Sequence, residues 1–181
     1  MRILKIVGIV ALCILCLAWM VRLNVPFAKA QYGAGQGDFS AGDYPRAAHH
    51  FRIAALLGEE TDYKQALCDY HMGDLKTAES KLRRLRDWPE AMVALGVVLM
   101  AENHDLEAER IFRSEINRTA HRTYHDKALA WYNLNLLLRQ RGNLNGANEA
   151  LREAMKWSNG ESAGWSGPQA HYPRPARTDT K

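Results

Sequence analysis

Apolar positions recur with helical spacing over most of the chain, and the recurrence is itself repeated. The clearest instance runs from Ala128 to Met155. Trp131, Leu134 and Leu138 fall at i, i+3 and i+7, on one face of a helix. Gly142-Asn143 interrupts the run, because glycine accepts positive φ without steric cost. Ala147, Leu151 and Ala154 then follow at i, i+4 and i+7. Large residues on the first helix facing small ones on the second predict an antiparallel helical hairpin whose axes approach closely.

The same spacing returns upstream. Ala47, Phe51 and Ala54 follow a turn at Gly42-Asp43-Tyr44, and Gly58 closes that helix as a C-cap. Thr61 or Asp62 can cap the next helix, whose apolar face is Tyr63, Ala66, Leu67 and Tyr70. Gly73-Asp74-Leu75 is its turn, and Ala78, Leu82 and Leu85 form the returning face. Pro89 starts a third pair, at a position where its missing N–H costs nothing. Leu95-Gly96 and Leu99 follow, then a turn at Asn103-His104, then Ala108 and Phe112. From turn to turn the steps are 31, 30 and 39 residues, the last carrying an insertion placed at 117–126.

These features resemble the tetratricopeptide repeat (TPR). Its marks here are Trp and Leu three apart, the Leu95-Gly96 pair, a turn of Gly-Asn or Gly-Asp, and the later Ala, large apolar and Ala positions. Asn135 stands where the family has glycine. The resemblance implies an all-α, TPR-like α-solenoid of three to four helical hairpins over residues 42–157. Together with the N-terminal segment described next, the expected order is one transmembrane helix, then the repeats.

Outside the repeats, two segments have their own character. Residues 6–21 carry no charge, between Lys5 and Arg22. Sixteen residues of helix cover about 24 Å, short of a bilayer core of about 30 Å, but Lys5 and Arg22 can snorkel. The basic start favours a cytoplasmic N-terminus, so 1–23 is read as a signal anchor. The body then lies in the periplasm, attached to a bacterial inner membrane. Cleavage after Ala28-Lys29-Ala30 is the alternative, giving a secreted periplasmic protein. Residues 24–41, with Pro26, Gly33, Gly35 and Gly37, are read as a linker or a degenerate first helix, since glycines oppose helix. Residues 158–181 are rich in Gly, Ser and Pro, and read as a disordered basic tail.

Composition adds limits. A net charge of +4 spread over the chain is weak support for a nucleic-acid partner, and export argues against one. Cys13 and Cys16 lie in the apolar run and Cys68 stands apart, so no disulfide framework is expected. His49 and His50 are adjacent and cannot chelate from one helical face. His121 and His125 have ligand spacing, but lie in the polar insertion with no third ligand in sight. No phosphate loop, catalytic triad or acid pair stands out. The expectation is no enzyme, metal, cofactor or small-molecule substrate.

Two surfaces are candidates for contact. Lys81, Arg83, Arg84 and Arg86 surround the buried Leu82 and Leu85. They are either a solvated outer face or a patch for anionic lipid or an acidic partner. In TPR proteins the first helices line a concave groove that binds peptides or helices, and the resemblance implies the same here. Phasing by the buried stripe puts Lys64, Cys68, His71 and Met72 in that groove, then Val93, Val97 and Met100, then Tyr132, Asn133, Leu136, Arg139 and Gln140. The family's carboxylate-clamp pattern is not reproduced, only Asn133 falling on one of its positions. The expected role is a membrane-tethered interaction scaffold or assembly factor with a protein partner in or at the inner membrane. The alternatives are a constitutive structural subunit of a larger membrane enzyme or secretion complex and, more remotely, a chaperone for metal loading.

Overall fold

A computed structural model describes residues 25–118 and 124–158. Eight helices are described: α1 (25–40), α2 (Tyr44–Leu56), α3 (Asp62–His71), α4 (Leu75–Arg84), α5 (Pro89–Ala101), α6 (Asp105–Asn117), α7 (Tyr124–Gln140) and α8 (Leu144–Ser158). Among the described residues there is no strand. None of these helices is long and apolar enough to cross a membrane. The apolar run at 6–21 and all but Ser158 of the C-terminal segment lie outside the described residues.

The four turns within the hairpins are built alike. Gly42, Gly73, Asn103 and Gly142 have φ of +81°, +86°, +64° and +78°. Each ends its helix in the same pair of bonds, as the amides of Gly73 and Asp74 do to the carbonyls of Tyr70 and Asp69 at 3.0 and 2.9 Å. This is the Schellman arrangement, which satisfies carbonyls left over at a helix end. Asn103 fills the glycine position because asparagine tolerates the left-handed region better than other side chains. The following residue then caps the next helix. Asp43, Asp74 and Asn143 accept from the amides of Arg46, Thr77 and Gly146 at 3.2, 3.1 and 3.1 Å, whereas His104 makes no such side-chain bond.

The chain divides into two compact units, Met1–Gln65 and Ala66–Lys181, with the division inside α3. In the first, the segment read as a linker or degenerate helix is helical throughout 25–40. Its glycines do not break it because one of them is needed. A Cβ on Gly35 would lie 2.9 Å from the Phe51 ring, and Tyr32 meets the same ring at 5.6 Å between centroids. Packing on α2 therefore offsets the roughly 1 kcal/mol that each glycine costs a helix. Phe51 is fully buried, and its carbonyl accepts from the Thr61 hydroxyl at 3.0 Å. Gly58, with φ of +97°, closes α2 in the capping role expected of it.

In the second unit α5 packs against α4, α6 and α7, while α6 packs on α7 and α7 on α8. Gly96 is where α5 and α6 touch: a Cβ there would sit 2.4 Å from the Phe112 ring. Counted from the turns, Gly35 and Gly96 hold the same position, seven residues before, and Phe51 and Phe112 another, nine after. Ala66 and Leu82 hold those positions around Gly73, and both are fully buried. Around Gly142 they are Asn135 and Leu151. The buried Asn135 donates through Nδ2 to the carbonyl of Ala147 at 2.6 Å. A direct hydrogen bond between α7 and α8 thus replaces glycine's close approach. The insertion before this pair is taken up partly by α7 itself, 17 residues against 13 in α5.

Candidate functional site

The interaction face expected on the first helices divides by burial. Cys68, Val93, Val97 and Asn133 are buried, the last with Nδ2 donating to the Leu129 carbonyl at 2.9 Å. These four belong to the interior, a correction to their placing in the groove. Lys64, His71, Met100, Tyr132 and Leu136 are half-buried, while Met72, Arg139 and Gln140 are exposed. In the second unit, α5 and α7 pack directly on each other. Their half-buried residues include the apolar Met100 on α5 and Tyr132 and Leu136 on α7, and the exposed Arg139 and Gln140 end α7.

Register corrects one further part of that assignment. Val93, Val97 and Met100 stand ten, six and three residues before their turn, as Tyr132, Leu136 and Arg139 do. The equivalent positions before Gly73 are Tyr63, Leu67 and Tyr70, one residue earlier than Lys64, Cys68 and His71. The signal was present in the sequence, because the turn fixes the count. Lys64 instead lies 5.9 Å from the centroids of the Phe39 and Tyr63 rings, a cation–π geometry.

The basic patch is largely neutralised from within. Lys81 Nζ donates to Asp69 Oδ2 at 2.6 Å, with both side chains mostly covered. Arg83 donates to Glu79 Oε1 at 2.7 Å and to Glu107 Oε1 at 2.8 Å, and these two carboxylates raise its pKa. Arg84 and Arg86 are exposed, and neither forms an ion pair among the described residues. A patch of four cations aimed at lipid or acidic protein is thus reduced to two, because the pairs tie Lys81 back to α3 and Arg83 to α6.

The remaining polar groups are structural in arrangement. The Nδ1 of His50 is 2.6 Å from Gln31 Oε1, and its Nε2 is 3.4 Å from Asp38 Oδ2. Burial lowers the pKa of His71 and raises that of Glu102. Among the described residues no three His, Cys, Asp or Glu side chains come together as metal ligands would. His121 and the side chain of His125 lie outside them.

Helical hairpins of one repeated turn and one repeated small-against-large contact define a TPR-like helical-repeat fold. Among solved structures, the crystal structure of MamA is similar, with a TM-score of 0.57 and 13% sequence identity, covering 79% of this chain and 85% of that one. At that identity the likeness concerns the fold. A scan against protein-family models finds no match, and neither does a search of curated proteins.

Proposed function

We propose that this protein is a protein–protein interaction module, and more finely an adaptor or assembly factor tethered to a bacterial inner membrane with its repeats in the periplasm. The observation that carries the binding role is the α5–α7 face. Met100, Tyr132 and Leu136 are neither sealed into the core nor replaced by charge, and Arg139 and Gln140 border them. Such a face suits the apolar side of an amphipathic helix or an extended segment, with polar groups fixing its register. The mechanism is capture, with no bond made or broken.

The tether rests on the sequence: an uncharged run between Lys5 and Arg22, after a basic start. Confinement to a bilayer raises the effective concentration of the adaptor for a partner in the same membrane. Both parts are tested together by pull-down from native membranes using the full chain and Leu136→Asp. The expected result is loss of the captured protein with helicity unchanged, since Leu136 is only half-buried and a carboxylate there can reach water. Capture that survives the substitution moves the binding site off this face. A full chain recovered in the soluble fraction refutes the tether.

A further inference from the structure

Among the described residues, the last helix leaves one side uncovered. Ala147, Ala150 and Ala154 are buried, while Leu144 is 60% and Met155 52% exposed, with Leu151 half-buried in the same stripe. Of the described helices only α7 packs substantially on α8. A shallow depression of about 680 Å³ follows the open side, lined by Asn145, Asn148, Leu151, Arg152 and Met155 among others. Each hairpin in a repeat array relies on a neighbour to cover its outward face, and among the described residues no helix follows α8.

We propose that this face is covered by the chain's own C-terminal segment, residues 159–181, with Trp165 seated over Leu151 and Met155. The segment starts directly after Ser158, and Trp165 is seven residues on. Extended chain of that length reaches about 23 Å. Returning along the helix from Ser158 to Leu151 needs only about 10 Å, and to Leu144 about 21 Å. Trp165 is therefore in reach of the stripe's centre, and Tyr172 of its far end. Trp165 and Tyr172 are the only large apolar side chains in the segment. Pro168, Pro173 and Pro175 favour extended chain, so less entropy is lost on docking. Covalent attachment puts the segment at an effective concentration of the order of millimolar, ahead of a second copy or a foreign protein. This face is separate from the one assigned to partner capture, and either assignment can fail alone.

The test uses the full chain with the photo-crosslinking residue p-benzoylphenylalanine at position 155. The expected product is an adduct within one chain, linking α8 to peptides from 159–181, at a yield independent of protein concentration. Trp165→Ser should abolish it. The same substitution should speed amide exchange in α8 by about tenfold, the effect of uncovering one large side chain, and leave α5 unchanged. Leu151→Asp should have the same effect on exchange from the other side of the contact. An adduct of dimer size assigns the face to a second copy and overturns the proposal. So does the absence of an adduct, and so does α8 exchange that is equal in Trp165→Ser and the parent chain.

Discussion

The third and fourth hairpins share a plan and differ in surroundings. α5 has partners on three sides, and nine of its 13 residues are buried, from Pro89 to Leu99. It is accordingly apolar round most of its circumference, as a largely enclosed helix is. Among the described helices α8 has one substantial partner, and it alternates sharply between buried alanines and exposed Asn148, Glu149 and Arg152. The contact inside each pair differs in the same sense. Gly96 lets α6 press a phenyl ring against the α5 backbone, whereas Asn135 bonds α7 to α8 through a side chain. Central pairs are held by shape and the terminal pair by a polar link. The centre should therefore tolerate less change in volume than the end.

The largest effect is expected at Gly96. Gly96→Val forces the Phe112 ring to move inside a region closed by α4, α6 and α7, and should cost about 3 kcal/mol. The whole second unit should lose stability together, read as a fall in Tm by circular dichroism. Ala147→Trp is the matching insertion at the end. Ala147 is fully buried between α7 and α8, but α8 can detach without uncovering α5. Hydrogen exchange should show α7 and α8 opened and α5 still protected. Uniform loss of protection in both variants would erase the distinction between centre and end.

Asn135→Ala is expected to be milder. It removes one buried hydrogen bond to a carbonyl, worth about 1 kcal/mol, and opens space without forcing bulk. The expected fall in Tm is a few degrees, about 2–4 °C per kcal/mol for a chain of this size. If Asn135→Gly restores the stability that Asn135→Ala loses, close approach and not the bond is what the pair requires.

Much of this was legible because the turns are explicit. Gly42, Gly73 and Gly142 mark the count, and Asn103 stands in for them with the same positive φ. Helix existence and pairing follow from Trp131, Leu134, Ala147 and their equivalents. Residues 24–41 were harder, since glycine propensity argues against helix while the Gly35–Phe51 contact argues for it, and only the contact depends on tertiary structure. The proposed interaction face depends on more than periodicity. Periodicity places a residue on a side of its helix, but whether Val97 is covered or Leu136 half-open depends on which neighbours close over it. The basic run left two readings open for a similar reason: Asp69 and Glu107 lie 12 and 24 residues from the cations they neutralise.

The smallest effect expected concerns the ion pair that joins the two hairpins. Arg141, in the turn between α7 and α8, donates to Glu109 on α6, which also accepts from Arg113. Arg113 first, and Arg141 with it, holds the Glu109 carboxyl below its usual pKa. A carboxyl whose pKa is depressed on folding stabilises the fold above its unfolded pKa, near 4.3, and that contribution is lost as pH falls through the lower folded value. Acid should therefore weaken the link between the third and fourth hairpins below about pH 4. Glu102 opposes this, since burial raises its pKa and protonation relieves it. The net slope in the parent chain mixes both, so the comparison must be made with Arg141→Ala. That variant should be less stable at pH 7 by no more than about 1 kcal/mol, because Arg141 is partly exposed and water screens the pair. The gap between variant and parent should narrow on acidification and shrink further in high salt. A gap that stays constant from pH 7 to pH 3 would mean that Arg141 contributes through its aliphatic stem, and that the two hairpins are joined by packing alone.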